Sequence, residues 1–273
     1  MAYLIGCDLG TTATKTALFN ESGQLIALAK VDSNIIYGEN RNVTQDPYEM
    51  FQSVIQSVKE VVKKSGIPPS QVAAIALDGQ MAGIMGVDSR GEPATPYDSW
   101  LDFRSADYAE KMKKEAEDLI IRRSGMGPSI NHGPKILWWK YERPEIYRKI
   151  KKFTIPSSWI TQKLGGLSGE ETFMDYTNIH FSCFSDLRKN NWDKEILQKF
   201  GIEEDKFPRI VEPWQKVGEL QSKLAKEMGL LSGTPLIAGC GDQAANVLGA
   251  GVSETGIAFD LAGTASCFSL FVN

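Results

Sequence analysis

The sequence predicts an α/β layer fold carrying a mostly helical insertion, and three observations predict it. The first thirty residues read as three strands in succession, followed by a capped helix and two further strands. Between residues 100 and 234 Lys, Glu, Trp and Tyr dominate, and helical patterns replace strands. The opening phrase, Tyr3 to Ala13 (YLIGCDLGTTA), returns in shortened form at Ile257 to Ala265 (IAFDLAGTA), so one strand–turn–strand unit is used twice.

The elements follow in order. Leu4–Leu9, Lys15–Asn20 and Gln24–Ala29 are apolar strands, and Glu21-Ser22-Gly23 forms the tight turn between the second and third. Asp46-Pro47-Tyr48-Glu49 supplies an N-cap, a proline at the first helical position and a carboxylate placed for a capping box. Phe51, Val54, Ile55, Val58, Val61 and Val62 then recur at helical spacing until Gly66. Val72–Leu77 and Ile84–Val87 are short strands. The insertion, about 100–234, has helical patterns at Ala106–Leu119, Lys135–Tyr141, Ser158–Leu164, Trp192–Phe200 and Leu220–Met228. Pro235–Ala238 returns to strand, Gln243–Leu248 is a small-residue helix, and Ile257–Leu261 with Cys267–Val272 are the last strands.

Composition narrows the function. The 273 residues are 42% hydrophobic and 23% charged, the balance of a soluble globular chain. A net charge of −4 argues against nucleic acid or an anionic membrane as the main partner. No run approaches a membrane span, and the chain enters a strand at Tyr3 without a basic and apolar leader. Cys7, Cys183, Cys240 and Cys267 share no metal or redox spacing and read as reduced packing residues. Together these place the protein in the cytoplasm.

Two acids stand out. Asp8 ends a strand beside the turn Gly10-Thr11-Thr12, where a carboxylate can hold Mg²⁺ through water while the turn contacts phosphate oxygens. Lys15 offers a point charge to the same phosphate. A turn-forming Asp with a solvated Lys fits this motif equally well, and the second turn, Gly263-Thr264, favours the phosphate reading. Asp242 follows a strand and Gly-Cys-Gly and precedes a helix, a place for an N-cap or for a catalytic base kept ionised by the helix dipole. Asp78-Gly79-Gln80-Met81 and Trp100-Leu101-Asp102 offer amides, a carboxylate and an indole face, which suit a polyol. His132 and His180 are left out of the chemistry, since a lone histidine is more often structural.

These pieces together resemble the N-terminal half of the FGGY carbohydrate kinases, xylulokinase-like members above all. The resemblance rests on Asp8-Leu9-Gly10-Thr11-Thr12, Gly79-Gln80-Met81, Trp100-Leu101-Asp102-Phe103-Arg104, Pro134-Lys135-Ile136-Leu137-Trp138, Asp175-Tyr176-Thr177-Asn178, Gly241-Asp242-Gln243 and Gly263-Thr264-Ala265-Ser266, in order along the chain. It implies a ribonuclease-H-like domain of the actin/hexokinase/Hsp70 superfamily over residues 1–253, with 254–273 starting an incomplete C-terminal nucleotide-binding domain. The implied activity is transfer of the ATP γ-phosphate to a sugar or polyol hydroxyl with Mg²⁺. Asp242 is then the base, Asp8 holds Mg²⁺ through water, and Gly10, Thr11, Thr12, Lys15, Gly263 and Thr264 meet the nucleotide. Gln80, Met81, Trp100, Asp102 and Asp242 match sugar-site positions. Xylulokinases carry His where this chain has Ala82, and glycerol kinases carry Arg-Glu at Met81-Ala82, so neither xylulose nor glycerol is the expected substrate. Two other readings of the same residues are an actin- or Hsp70-like nucleotide switch and a non-catalytic sugar-binding domain. Taken alone, the chain is expected to bind sugar weakly and transfer no phosphate. Its last strand presents an unpaired edge that invites pairing with a second copy.

Overall fold

The computed structural model describes residues 1–262 and 266–272. Tyr3–Leu9 (β1), Ala13–Asn20 (β2) and Leu25–Asp32 (β3) form an antiparallel meander. Helix Pro47–Ser65 (α1) follows, then strand Val72–Gly79 (β4). Lys216–Glu219 (β5) and Pro235–Gly241 (β6) complete a six-stranded sheet in the order β5-β6-β4-β1-β2-β3. β1 and β4 run parallel, as do β4 and β6, so three neighbouring strands end at the same edge.

α1 begins and ends as its sequence dictates. The Asp46 side chain accepts from the Tyr48 N–H at 2.8 Å, Pro47 opens the helix, and Gly66 closes it at φ 65°. Glu49 does not complete a capping box; its Oε1 accepts from Asn34 Nδ2 at 2.6 Å. Val54, Val58 and Val61 are fully buried on the sheet face that carries Ile5, Leu18, Ile75 and Leu77. Burying each such side chain contributes about 1.5–3 kcal/mol. Polar contacts also fix the helix, because the Thr14 and Thr16 hydroxyls meet Ser53 and Ser57 Oγ at 2.6 and 2.7 Å.

Strand alternation sends Asp8, Lys15 and Asp78 to the opposite face, where Leu4 and Leu28 remain exposed. The stretch 100–234 is shared between two cores. Helix Pro156–Gly165 (α2) and residues Leu220–Leu230 join the sheet core through Trp159, Leu164, Leu220 and Met228. Helices Ala106–Ser124 and His132–Glu142 pack instead on a second core with Ile84, Phe153 and Phe184. Trp192, expected in a helix, pairs with Ser185 in a short hairpin, and the helix Lys194–Lys199 starts after its cap, Asp193. Helix Asp242–Gly249 (α3) follows β6, and the strands Ala258–Ala262 and Ser266–Leu270 pair with each other.

One residue sets the exit of β6. The register of β6 on β4 shifts between Ile237 and Cys240, and Gly239 sits there at φ +78°. A Cβ on Gly239 would lie 1.7 Å from the Leu77 carbonyl oxygen, whereas one on Gly6 in β1 would meet nothing within 4 Å. Gly239→Ala is therefore expected to cost roughly 3 kcal/mol or more in urea unfolding, and Gly6→Ala to stay within about 1 kcal/mol of wild type. Equal midpoints for the two variants would show that the bulge yields freely.

Candidate functional site

The parallel strands deliver three carboxylates to one edge. Asp8 near the end of β1 lies opposite Asp78 of β4 in the parallel ladder, and Cys240 of β6 lies opposite Asp78 on the other side. Lys15, the cross-strand partner of Asp8 on β2, brings its Nζ to 3.2 Å from Asp8 Oδ2. Asp242 is the first residue of α3. Gly241, not Asp242, occupies the cap position, and Asp242 Oδ1 accepts from the Gln243 N–H at 2.7 Å.

A loop from the insertion pins this junction. Asp175 is buried and accepts from Thr177 N–H at 2.9 Å, from the Thr177 hydroxyl, and from Asn178 Nδ2 at 2.8 Å. The Thr177 oxygen in turn accepts from the Gly241 N–H at 2.9 Å. The Asp175-Tyr176-Thr177-Asn178 motif thus holds the residue on which Asp242 turns.

Crowding of like charge in a partly buried edge raises proton affinity. Burial first, then the charges of Asp8 and Asp242, push Asp78 up to about 7. Asp242 is raised to about 6, mainly by burial, with the Gln243 N–H opposing and Asp8 adding to the shift. At neutral pH Asp242 is then largely ionised while still able to take a proton, which a general base requires.

A cleft of about 430 Å³ opens beside Asp242, walled by Gln80, Met81, Ala82, Trp100 and Phe181. The Gln243 Oε1, also facing this region, is buried and has no hydrogen-bond partner among the described residues. A second hollow of about 330 Å³ holds Asp8, Lys15 and Asp78 with Cys240 and Ala245. Of the residues expected at the sugar, Gln80, Met81, Trp100 and Asp242 therefore meet in one cleft, while Asp8 and Lys15, expected at Mg²⁺ and phosphate, meet in the other.

The remaining expected residues are placed differently. Thr11 puts its side chain into the cleft with Gln80 and Trp100, because its hydroxyl donates to Gln80 Oε1 at 3.3 Å and accepts from Trp100 Nε1 at 3.0 Å. Gly10 N–H donates to the Ala13 carbonyl, and exposed Thr12 accepts from Ser33 N–H through its own carbonyl. Asp102 does not line the cleft: it is buried, accepts from Val43 N–H at 2.8 Å and from Arg104 Nε at 2.9 Å. Its neighbours explain this, since Arg104 also reaches Asp98 at 2.6 Å and buried Lys135 donates to the Asp102 carbonyl at 2.7 Å. Gly263 and Thr264 lie outside the described residues, while Leu261 and Cys267 to either side of them line the cleft.

Sequence reasoning offered Asp78 only as part of a polyol motif and missed its place beside Asp8, although the two share strand parity and edge. It also missed Phe181, Gln45 and the clamp of Thr177 on Gly241. His132 is fully buried, and burial holds its ring neutral with a proton affinity lowered to about 3. All four cysteines are free; Cys7 and Cys183 are packed in the interior, whereas Cys240 and Cys267 are only partly buried and line the two hollows. No helix among the described residues is long and apolar enough to cross a membrane.

Comparison with known proteins bears on this geometry. A family model described as the FGGY family of carbohydrate kinases, N-terminal domain, matches residues 3–249. A xylulose kinase of Staphylococcus xylosus is 28% identical over 256 residues, covering 93% of this chain and 52% of that protein. A gluconokinase of Bacillus subtilis is 28% identical over 257 residues, covering 93% of this chain and 49% of that protein. The crystal structure of a gluconate kinase from Lactobacillus acidophilus superposes with a TM-score of 0.89 at 24% identity, over 98% of this chain and 53% of that one, which shows the fold. The chain thus spans about half the length of the relatives it matches.

The crowded acids make stability depend on pH. Folded Asp78, at about 7, binds its proton more tightly than the unfolded chain at 3.8, so native stability falls as pH rises through that window. Asp78→Asn removes this loss and is expected to be more stable than wild type by roughly 1–3 kcal/mol near pH 8, with the advantage shrinking toward pH 4. Urea melts of both proteins across that range check it. An advantage that stays constant with pH would mean the carboxylate is not crowded in the native state.

Proposed function

Because this chain belongs to the FGGY family of carbohydrate kinases, whose N-terminal domain matches residues 3–249, we propose that it is the sugar-binding half of an ATP-dependent kinase acting on a sugar or polyol hydroxyl. The observation that carries the proposal is the position of Asp242. It stands beside a cleft lined by amide, indole and phenyl groups, on the same sheet edge as the Asp8–Lys15 pair. A polyol places hydroxyls against the amides of Gln80 and Gln243 and a C–H face against Trp100. Residues 254–273 are, in this reading, the first strands of the domain that carries the nucleoside site.

In this mechanism Asp242 accepts the proton of the attacking hydroxyl as its oxygen bonds to the γ-phosphorus and the bond to the ADP oxygen breaks. Lys15 and the turn Gly10–Thr12 stabilise the charge on the phosphoryl oxygens. The donor set also fits Mg²⁺: Asp8 is a hard oxygen ligand on the phosphate side, partly exposed, with Asp78 next to it. When bound, Mg²⁺ neutralises charge on the β- and γ-phosphates. Ala82 leaves the cleft roomier and less polar than an imidazole there would, which favours a substrate other than xylulose.

Two kinetic expectations follow for the full-length enzyme. Asp242→Ala lowers kcat by roughly 10²–10⁴-fold with a smaller change in sugar affinity, and the wild-type kcat/KM rises with pH through about 6 before levelling. Steady-state rates with a panel of ketoses, aldonates and polyols test this. Activity of the variant within a factor of a few of wild type would remove Asp242 from the reaction.

Asp8→Asn is expected to weaken use of Mg·ATP by at least about tenfold in kcat/KM while leaving sugar binding nearly unchanged. Calorimetric titration with sugar and with a non-hydrolysable ATP analogue separates the two. Loss of sugar binding alone would place Asp8 at the sugar.

A further inference from the structure

Gln45 ends the short strand Val43–Gln45, one residue before the cap of α1, and is fully buried. Its Nε2 donates to the carbonyl oxygens of Thr11 and Asn34, each at 3.2 Å. Its Oε1 accepts from Gln80 Nε2 at 2.7 Å. Two carbonyls facing one end of the amide and an N–H facing the other leave a single orientation for it. Gln80 then accepts from the Thr11 hydroxyl, and that hydroxyl accepts from Trp100 Nε1. The backbone joins in, since Gln80 N–H donates to the Leu9 carbonyl at 3.1 Å.

These bonds close a ring through Gln45, Thr11 and Gln80, with Trp100 attached. The ring ties the Gly10–Thr12 turn to two walls of the sugar cleft. Gln45 touches neither cleft, yet every member of the ring that does is bonded to it directly or through Thr11. Donors and acceptors are matched throughout, so motion of one member breaks bonds made by the others.

We propose that Gln45 is a positioning residue that couples the sugar cleft to the phosphate turn, so that a sugar seated against Gln80 and Trp100 fixes the turn beside Asp8. The inference rests on the reading of the cleft as the sugar site. Without the Gln45 amide, Thr11 and Asn34 lose a shared donor, and Gln80 loses the acceptor that orients it. Sugar should still bind, because Gln80, Trp100 and Gln243 remain. What is lost is transmission to the turn.

The test follows backbone hydrogen exchange of the segment Gly10–Ala13 in the 273-residue chain, with and without saturating D-xylulose or D-gluconate, binding being measured by calorimetry. In wild type, bound sugar is expected to slow exchange of the turn by at least about fivefold; in Gln45→Met the sugar binds with Kd within about threefold and the slowing disappears. A Gln45→Met turn that responds to sugar as wild type does overturns the proposal. Gln45→Glu gives an independent reading and a second folding background. Its carboxyl donates only when protonated, so the response is expected to be absent near pH 8 and partly restored toward pH 5. A response equal to wild type at every pH also overturns the proposal. If neither of these two sugars binds wild type, the cleft takes neither of them, and Gln45 is judged without ligand. Turn exchange at least about tenfold faster in Gln45→Met, with α1 unchanged, then upholds the lock, and unchanged exchange removes it.

Discussion

The parallel pairing of β1, β4 and β6 is the constraint on which the site depends. Parallel neighbours end together, so Asp8, Asp78 and the Gly241–Asp242 junction arrive at one edge although they are far apart in sequence. The α1 core enforces that pairing from the other face, where Ile5, Ile75 and Leu77 leave no freedom to slip by one residue. A slip of one would carry the acids into the core and the aliphatic residues out of it. The hydrophobic pattern thus sets the chemistry's position.

The molecule handles its buried charges in two opposite ways. Asp98 and Asp102 are matched by Arg104 and Lys135, with Trp139 Nε1 donating to Asp98 at 2.5 Å. Two carboxylates against two cations leave a neutral, hydrogen-bonded cluster that can fix the Trp100 loop at low cost. At the sheet edge Lys15 pairs with Asp8 and lies near Asp78, while Asp242 adds a third carboxylate with Asp8 as a charged neighbour. Burial first, and then the like charges of neighbouring acids, hold Asp78 and Asp242 at raised proton affinity. Charge is neutralised where the protein needs a fixed loop and left uncompensated where the proposed reaction needs a base and a counter-ion.

Between these regions run hydrogen bonds that the hydrophobic core does not specify. Thr177 reaches Gly241 from the insertion, and Gln45 reaches Thr11 from the strand before α1. Each joins a loop that could otherwise move independently to the edge that carries Asp8 and Asp242. Both act on backbone groups, which explains how side chains outside either cleft can set the geometry within it.

Local periodicity and turn chemistry were enough to find five of the six strands of the main sheet, with β5 missed inside the expected helical insertion, and α1 with its Asp46 cap and Gly66 stop, and the strand-to-helix exit at Asp242, because those features depend on neighbours in sequence. The motifs also named most of the cleft, since Gln80, Met81, Trp100 and Asp242 sit at strand ends or in loops that the chain order already marks. Other assignments required the tertiary structure. The sequence gives Asp102 the same claim on the cleft as Trp100, and only the arrival of Arg104 and Lys135 decided that its carboxylate would be consumed in an ion cluster. Thr11 reads as a phosphate ligand until Trp100, 89 positions away in sequence, turns its hydroxyl toward the cleft. Gln45 carries no sequence signal at all, for a buried amide acquires meaning from what surrounds it. Secondary structure is dictated by spacing along the chain, whereas the use of a polar side chain is decided by which partners the fold brings within hydrogen-bonding distance.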